Sequence, residues 1–445
     1  MTAKNTSLAF ILINLMAFAV VFIGWWPVPG SYFLLEPALF CAIAMLCLLM
    51  LLSVSEVRID RRSLFAYVAF AAWVVLSDAL SGEFLPALAR DVHWLILPPL
   101  VVLYTRFFAK SEEPLKVLQV AVALSLVVIC YRLIDGADAV FNWIRLPIFG
   151  NIRRLAMTVG LMSVFLYRDA GYRQSEKWLF VLARIIGLSL LFWSGSRGAM
   201  LAWLLAFLTF IGLSGQWAKL RGWLFEVSVA VVLALLFDVG NPSMGFLNAF
   251  FRSGIGAGGL DGMSSGRLSL WLKTLDALHE SDVALWGAGG NGFVRLRLMF
   301  DQIFHPHNIV LQVLTDWGAG GFLLLLWLVR QGLPDHISAR KGSNDGMVGL
   351  GAALMVFLLV TGLLDGGLYH LQYLFFAAIA FALIAKPKDN AARGGTLAIQ
   401  RINVSRLGIA ALLLAAMLLH WSARNHRVEW SATPLNQSSV ALHRG

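Results

Sequence analysis

Met347-Val348-Gly349-Leu350-Gly351-Ala352-Ala353-Leu354-Met355-Val356-Phe357-Leu358-Leu359-Val360-Thr361-Gly362-Leu363-Leu364 carries no charged side chain. At about 1.5 Å per residue, a helix of that length spans about 27 Å, close to the hydrocarbon thickness of a bilayer. The run is continuous rather than alternating, which selects a membrane helix over a barrel strand.

Similar runs recur near 7–26, 32–54, 64–80, 92–108, 115–134, 155–168, 178–194, 198–214, 221–239, 316–331, 370–386 and 405–421. Composition agrees. The chain is 59% hydrophobic and 13% charged, with mean hydropathy +0.75, against about 25% charged residues in soluble domains. The reading is an all-α polytopic membrane protein of twelve or thirteen transmembrane helices. Cys41, Cys47 and Cys130 lie inside apolar runs and indicate no disulfide framework. The first run has only Lys4 before it and no small-residue cleavage site, so it reads as a retained helix.

Lys and Arg in the short loops set the orientation. With the N-terminus inside, the inner loops hold nineteen of them, among them Arg58, Arg61, Arg62, Arg168, Lys219, Arg340 and Arg401. The short outer loops hold six: Arg90, Arg132, Arg145, Arg153, Arg154 and Arg197. This divides the chain into an N-terminal bundle (1–239), a large outer loop (240–304), a C-terminal bundle (305–421) and a polar tail (422–445). The loop is Gly-rich at Gly254, Gly256, Gly258, Gly259 and Gly262. It then reads as a helix from Ser264 to Glu280, with Leu268, Trp271, Leu272, Leu275 and Leu278 at helical spacing.

The outer face collects polar residues from distant stretches. Arg153 and Arg154 begin one span. Arg197 sits in the turn Ser194-Gly195-Ser196-Arg197-Gly198, Arg267 opens the loop helix, and His305-Pro306-His307-Asn308 closes the loop. Asp365 and His370 flank another outer turn. Outer arginines run against the orientation bias and need a local reason. A guanidinium is a permanently charged fork of donors that matches phosphate oxygens, so several around one cavity point to a diphosphate site.

Pro306 suits the first position of a helix, which places His305 to Asn308 at a helix start. The helix dipole there keeps an imidazole neutral, as a general base requires. Asp301, His305 and His307 could alternatively ligate a metal, but a helix start suits a two-residue His step poorly. Arg184, inside a span, is expected to snorkel to the inner face. The Gly254-to-Gly259 stretch follows no strand and reads as flexible loop rather than a nucleotide cradle.

Trp286-Gly287-Ala288-Gly289-Gly290-Asn291-Gly292-Phe293 and His307-Asn308-x-x-Leu311-Gln312-x-Leu314-x-Asp316-x-Gly318-x-x-Gly321 resemble the signature of the O-antigen ligase and polymerase superfamily. Ser194-Gly195-Ser196-Arg197-Gly198 and Gly266-Arg267-Leu268-x-x-Trp271 resemble two further motifs of that superfamily. The likeness covers about 190–330, with Asp316 where Glu is commoner. It implies a GT-C-like, inverting, metal-independent glycosyltransferase of the inner membrane, without a cofactor, whose site faces the periplasm. In the ligase branch, an O-antigen on undecaprenyl diphosphate passes to the lipid A–core oligosaccharide. Membrane lipids are further partners, and nucleic acid is not one. His307 and His305 would be catalytic. Arg197, Arg267, Arg153, Arg154, Asn308, Ser196 and Asp365 would bind substrate. Polymerase and protein O-oligosaccharyltransferase branches share the donor. A transporter of lipid-linked glycan is a more distant reading, and it would need internal charges and a half-to-half repeat that are not visible.

Overall fold

The computed structural model describes residues 58–135, 152–168, 172–236, 266–296, 305–332, 346–385 and 401–403. The expected spans near 7–26, 32–54 and 405–421, the Gly-rich stretch, Asp301 and the tail lie outside the described residues.

The elements in chain order are strand β1 (Arg58–Asp60) and helices α1 (Arg61–Leu80), α2 (Phe84–Lys110), α3 (Glu113–Asp135), α4 (Ile152–Phe165), α5 (Gln174–Trp193), α6 (Arg197–Ser214) and α7 (Leu220–Leu236). They continue with α8 (Arg267–Glu280), the single turn α9 (Gly292–Arg295), α10 (Ile309–Gly332), α11 (Gly346–Asp365), α12 (Leu371–Ala385) and β2 (Arg401–Asn403). Among the described residues, six helices are long and apolar enough to cross a membrane: α1, α2, α3, α6, α10 and α11. This is a multi-pass helical membrane protein.

The fold is all-α as expected, and two details refine it. A short ribbon pairs Arg58 with Asn403 and Asp60 with Arg401, antiparallel. It ties the segment expected as an inner linker to the inner loop before α1. Helices α2 and α10 also begin earlier than their apolar runs, because polar residues inside them find hydrogen-bond partners in other segments. Asp91 accepts from Trp317 Nε1 at 2.5 Å. Asp316 accepts from Gln312 Nε2 at 2.8 Å and from the Gly292 amide at 2.7 Å.

Consecutive helices run up and down. One end of the bundle therefore gathers the α1–α2, α5–α6 and α11–α12 turns together with the loop before α10. The opposite end gathers the α2–α3, α4–α5 and α6–α7 turns and the start of α11. The core between them is built on buried Tyr104, Phe108, Phe165, Phe180, Phe210 and Phe357. Small residues bring helices close: a Cβ at Gly351 on α11 would lie 2.7 Å from the Ala380 carbonyl of α12.

Arg184 does not snorkel. It is 2% exposed and bonded to Glu226 on α7 through Nε (2.8 Å) and Nη2 (2.7 Å). Its Nη1 donates to the Leu166 carbonyl at 2.8 Å. A carboxylate on a neighbouring span satisfies it where it stands, so it has no need to reach water.

Candidate active site

The Trp286–Phe293 motif is a backbone latch. Gly318 breaks α10 with φ 65°, and the chain before α9 fills the break. The amides of Ala319 and Gly320 donate to the carbonyls of Ala284 and Leu285 at 2.9 and 3.1 Å. In return, the amides of Ala288 and Gly289 donate to the carbonyls of Thr315 and Asp316, both at 2.8 Å. Gly290 donates to Asp78 Oδ1 at 2.9 Å. A Cβ at Gly318 would overlap the Leu285 carbonyl, which explains the glycine. Non-helical backbone inside a bilayer survives only when protein groups satisfy it, and this loop does so. Trp286 stacks on Trp73 of α1 at 4.8 Å and seals the outside of the joint.

The latch fixes where the loop enters and where α10 begins. Helix α8 follows from it. Leu270 and Phe293 pack together, and Trp271 Nε1 donates to the Pro306 carbonyl at 2.9 Å. Leu272 and Leu275 point outward, so the apolar pattern expected for α8 divides between a face on the protein and an exposed face. The helix starts at Arg267 rather than Ser264, after Gly266 in a left-handed turn.

Arg267 reaches the end of α11 and bonds to Asp365. Its Nε is buried without a partner. Burial lowers its pKa. Asp365 opposes that, and Arg153 and Arg197 add to it through like charge. Asp365 also closes on the α5–α6 turn, since a Cβ at Gly198 would lie 2.9 Å from its Oδ2. Three arginines from three distant motifs therefore converge around one carboxylate.

The histidines stand beside them. The rings of His305 and His307 are 4.1 Å apart, and that of His370 is 6.4 Å from His305. The helix-start expectation needs correction. Helix α10 begins at Ile309, and Asn308 is its cap, its Oδ1 accepting from the amides of Val310 and Leu311 at 2.9 and 3.2 Å. His305 to His307 form the turn before it, with His307 at φ 53°. An amide caps a helix better than an imidazole, so the start moves to residue 309.

His307 is pushed down to about 4, by burial first and then by Arg267 and Arg153. His305 and His370 also fall well below their ordinary values, burial again leading, with Arg154 and Arg90 contributing to both. All three imidazoles are neutral at pH 7. The His307 ring is hydrogen-bonded to the Asp365 backbone, while its Nδ1 is buried without a partner. A neutral ring that donates to a carbonyl presents its other nitrogen as a lone pair.

The expected residues Arg197, Arg267, Arg153, Arg154, His305, His307 and Asp365 all meet at this end. Ser196 occupies the position before α6, and its amide is held by Ser194 Oγ at 3.2 Å. Asn308 has committed its oxygen to capping α10, and its amide nitrogen takes no part in that cap. Among the described residues no group of three His, Cys, Asp or Glu is arranged to hold a metal ion.

Sequence reasoning missed Arg90, which acts on His305 and His370 from the start of α2. The signal was present, since Arg90 is one of the six outer cations. His370 was noted only as flanking a turn. Tyr373 carried no sequence signal. Its hydroxyl lies 3.0 Å from that of Thr158 and donates to the Arg154 carbonyl at 3.3 Å, pinning the start of α12 to α4.

A polytopic helical bundle with several guanidiniums and neutral imidazoles at one end presents a cationic cluster whose charge suits an anion. Residues 182–326 match the family described as O-antigen ligase, which bears out the resemblance read from the motifs. The matched segment contains the α5–α6 turn, Arg267, the latch and both histidines of the loop. Members of that family are glycosyltransferase-like enzymes. No curated protein matches the chain.

Proposed function

We propose that the chain is an O-antigen ligase. It moves glycan from undecaprenyl diphosphate to the lipid A–core oligosaccharide, at the periplasmic face of the inner membrane. One observation carries the reading. Arg267, Arg197 and Arg153 crowd together beside an imidazole whose free nitrogen is buried.

The acceptor hydroxyl attacks the anomeric carbon from the face opposite the diphosphate. The new C–O bond forms as the glycosyl–phosphate bond breaks, and the electron pair leaves on the diphosphate. The proton of the hydroxyl passes to His307 Nδ1. Arg267, Arg197 and Arg153 stabilise the charge that builds on the leaving group, worth about 10²–10³ in rate for one well-placed donor. Burial first, and then Arg267 and Arg153, hold His307 low. A bound diphosphate offsets the share due to the cations and raises the basicity of the ring when the donor is in place. Asp365 positions Arg267 and orients His307 through its backbone. His305 orients His307, since its Nδ1 accepts from the His307 amide at 3.3 Å.

Arginine takes the charge-neutralising role that a divalent ion has in other transferases, so the proposed reaction needs no metal. Purified protein given defined lipid-linked donor and rough lipopolysaccharide should transfer glycan in EDTA. Transfer abolished by EDTA and restored by a divalent ion would overturn the metal-free step. Deletion of the gene separates the branches. Loss of all long-chain O-antigen with donor accumulating means ligase. A single repeat still attached to the core means polymerase.

A further inference from the structure

A second polar cluster lies at the opposite end of the same two helices that carry the site. Helix α6 runs from Arg197 to Ser214, and α11 runs back from Gly346 to Asp365. At the far end a Cβ at Gly349 would lie 3.2 Å from Ser214 Cβ, and one at Gly346 would lie 3.4 Å from Gln216 Nε2 and 3.7 Å from Arg168 Nε. Arg168, Ser214 and Gln216 thus surround the first turn of α11.

All three have unused hydrogen-bonding capacity. Arg168 is 6% exposed and spends Nη2 on Glu112 at 2.9 Å, while its Nε and Nη1 are buried without partners. Ser214 is 1% exposed with no partner for its hydroxyl, and Gln216 Oε1 is buried and unmatched. Leaving buried polar atoms unmatched is costly, so four at one spot call for an occupant. The dipole at a helix start favours an anion.

We propose that this end of the bundle binds a phosphate ester carrying a neighbouring hydroxyl, as in a glycerol-phosphate headgroup. The phosphate oxygens take the unmatched Arg168 donors and the Ser214 hydroxyl. The headgroup hydroxyl donates to Gln216 Oε1. A phosphate with no hydroxyl would leave that oxygen unmatched. The place fits a lipid source, because by the loop charges it lies at the inner surface, where anionic headgroups meet basic pockets between spans. Glu112 stays on Arg168 Nη2 and keeps the guanidinium oriented. The site shares no residue with the proposed transfer chemistry, so the two readings fail independently.

The test compares purified full-length protein, wild type, Arg168→Gln and Gly346→Val. Arg168→Gln removes the charge. Gly346→Val fills the space beside Arg168 while leaving the Glu112 pair intact, so a folding defect in the first variant does not decide the matter. Native mass spectrometry reads phosphatidylglycerol retained per chain, and thermal unfolding reads the shift on adding phosphatidylglycerol, phosphatidylethanolamine, glycerol 3-phosphate or inorganic phosphate. Retained phosphatidylglycerol should fall about tenfold in both variants. Phosphatidylglycerol should raise the wild-type midpoint more than phosphatidylethanolamine does. A rise with glycerol 3-phosphate but not with the lipid would assign the same chemistry to a soluble ligand. Equal retention in wild type and Gly346→Val, or equal shifts with both lipids, would overturn the proposal.

Discussion

Arg184 and Arg267 are both buried arginines paired with a carboxylate from another helix, and they differ in what is left over. Arg184 gives two nitrogens to Glu226 and the third to a backbone carbonyl, with the Tyr167 ring 5.8 Å away. Each of its three nitrogens is engaged. Arg267 bonds to Asp365, keeps Nε without a partner, and shares its surroundings with Arg153 and Arg197. The first is a closed structural pair. The second holds donors and positive charge in excess of its acid. Burial of an arginine therefore does not mark a site; unspent donors and crowded like charge do.

Substitutions should separate the two pairs, beginning with the largest effects. His307→Ala should cut transfer by about 10²–10⁴, the usual contribution of a general base, with folded yield unchanged. Arg267→Ala should cost about 10²–10³. Glycan-transfer assays on purified variants check both.

Arg184→Ala should instead leave Glu226 buried and unpaired and destabilise the fold by about 3–5 kcal/mol. The readout is unfolding in detergent. The sharper test is the double change Arg184→Met with Glu226→Leu, which should recover folding, because apolar replacement of a buried pair is often neutral. Arg267→Met with Asp365→Leu should fold and remain inactive. Recovered transfer in that variant would erase the distinction between the pairs.

Smaller effects follow from the turn before α10. Asn308→Ala removes a helix cap and should cost about 1 kcal/mol, readable as a lowered unfolding midpoint. The histidines give a pH dependence. Folding lowers all three, His307 from 6.5 to about 4. Between those values the unfolded chain binds more protons than the folded one, so stability falls as pH drops from 6.5 toward 4 and is flat above. His307→Asn should shallow that slope. An unchanged slope would mean that the ring is not held neutral in the fold.

Much of this arrangement was legible in the sequence. Among the described residues the apolar runs located the helices, and the loop charges ordered their ends well enough to bring Arg153, Arg197, Arg267, His305 and Asp365 to one end of the bundle. The starts of α2 and α10 were misplaced because a hydropathy reading stops at Asp91 and Asp316. Residues from other segments, Trp317 for Asp91 and Gly292 for Asp316, donate to those carboxylates. Arg184 was misread for the same reason, as nothing near it in the chain indicates Glu226. The latch residues were recognised as a motif, but their purpose was hidden. Gly287, Gly290 and Gly318 are explained only by backbone that approaches from another segment. Side chains that pair within one turn, such as Asn308 with Val310, are the kind a sequence can disclose.

The division of labour between cations and imidazole is tested most directly by measuring donor binding and transfer on the same variants. With a labelled polyprenyl-diphosphate glycan, His307→Ala should bind donor as tightly as wild type and transfer almost none. Arg197→Ala with Arg267→Ala should lose binding itself. Transfer surviving in His307→Ala, or donor affinity unchanged after both arginines are removed, would contradict the account.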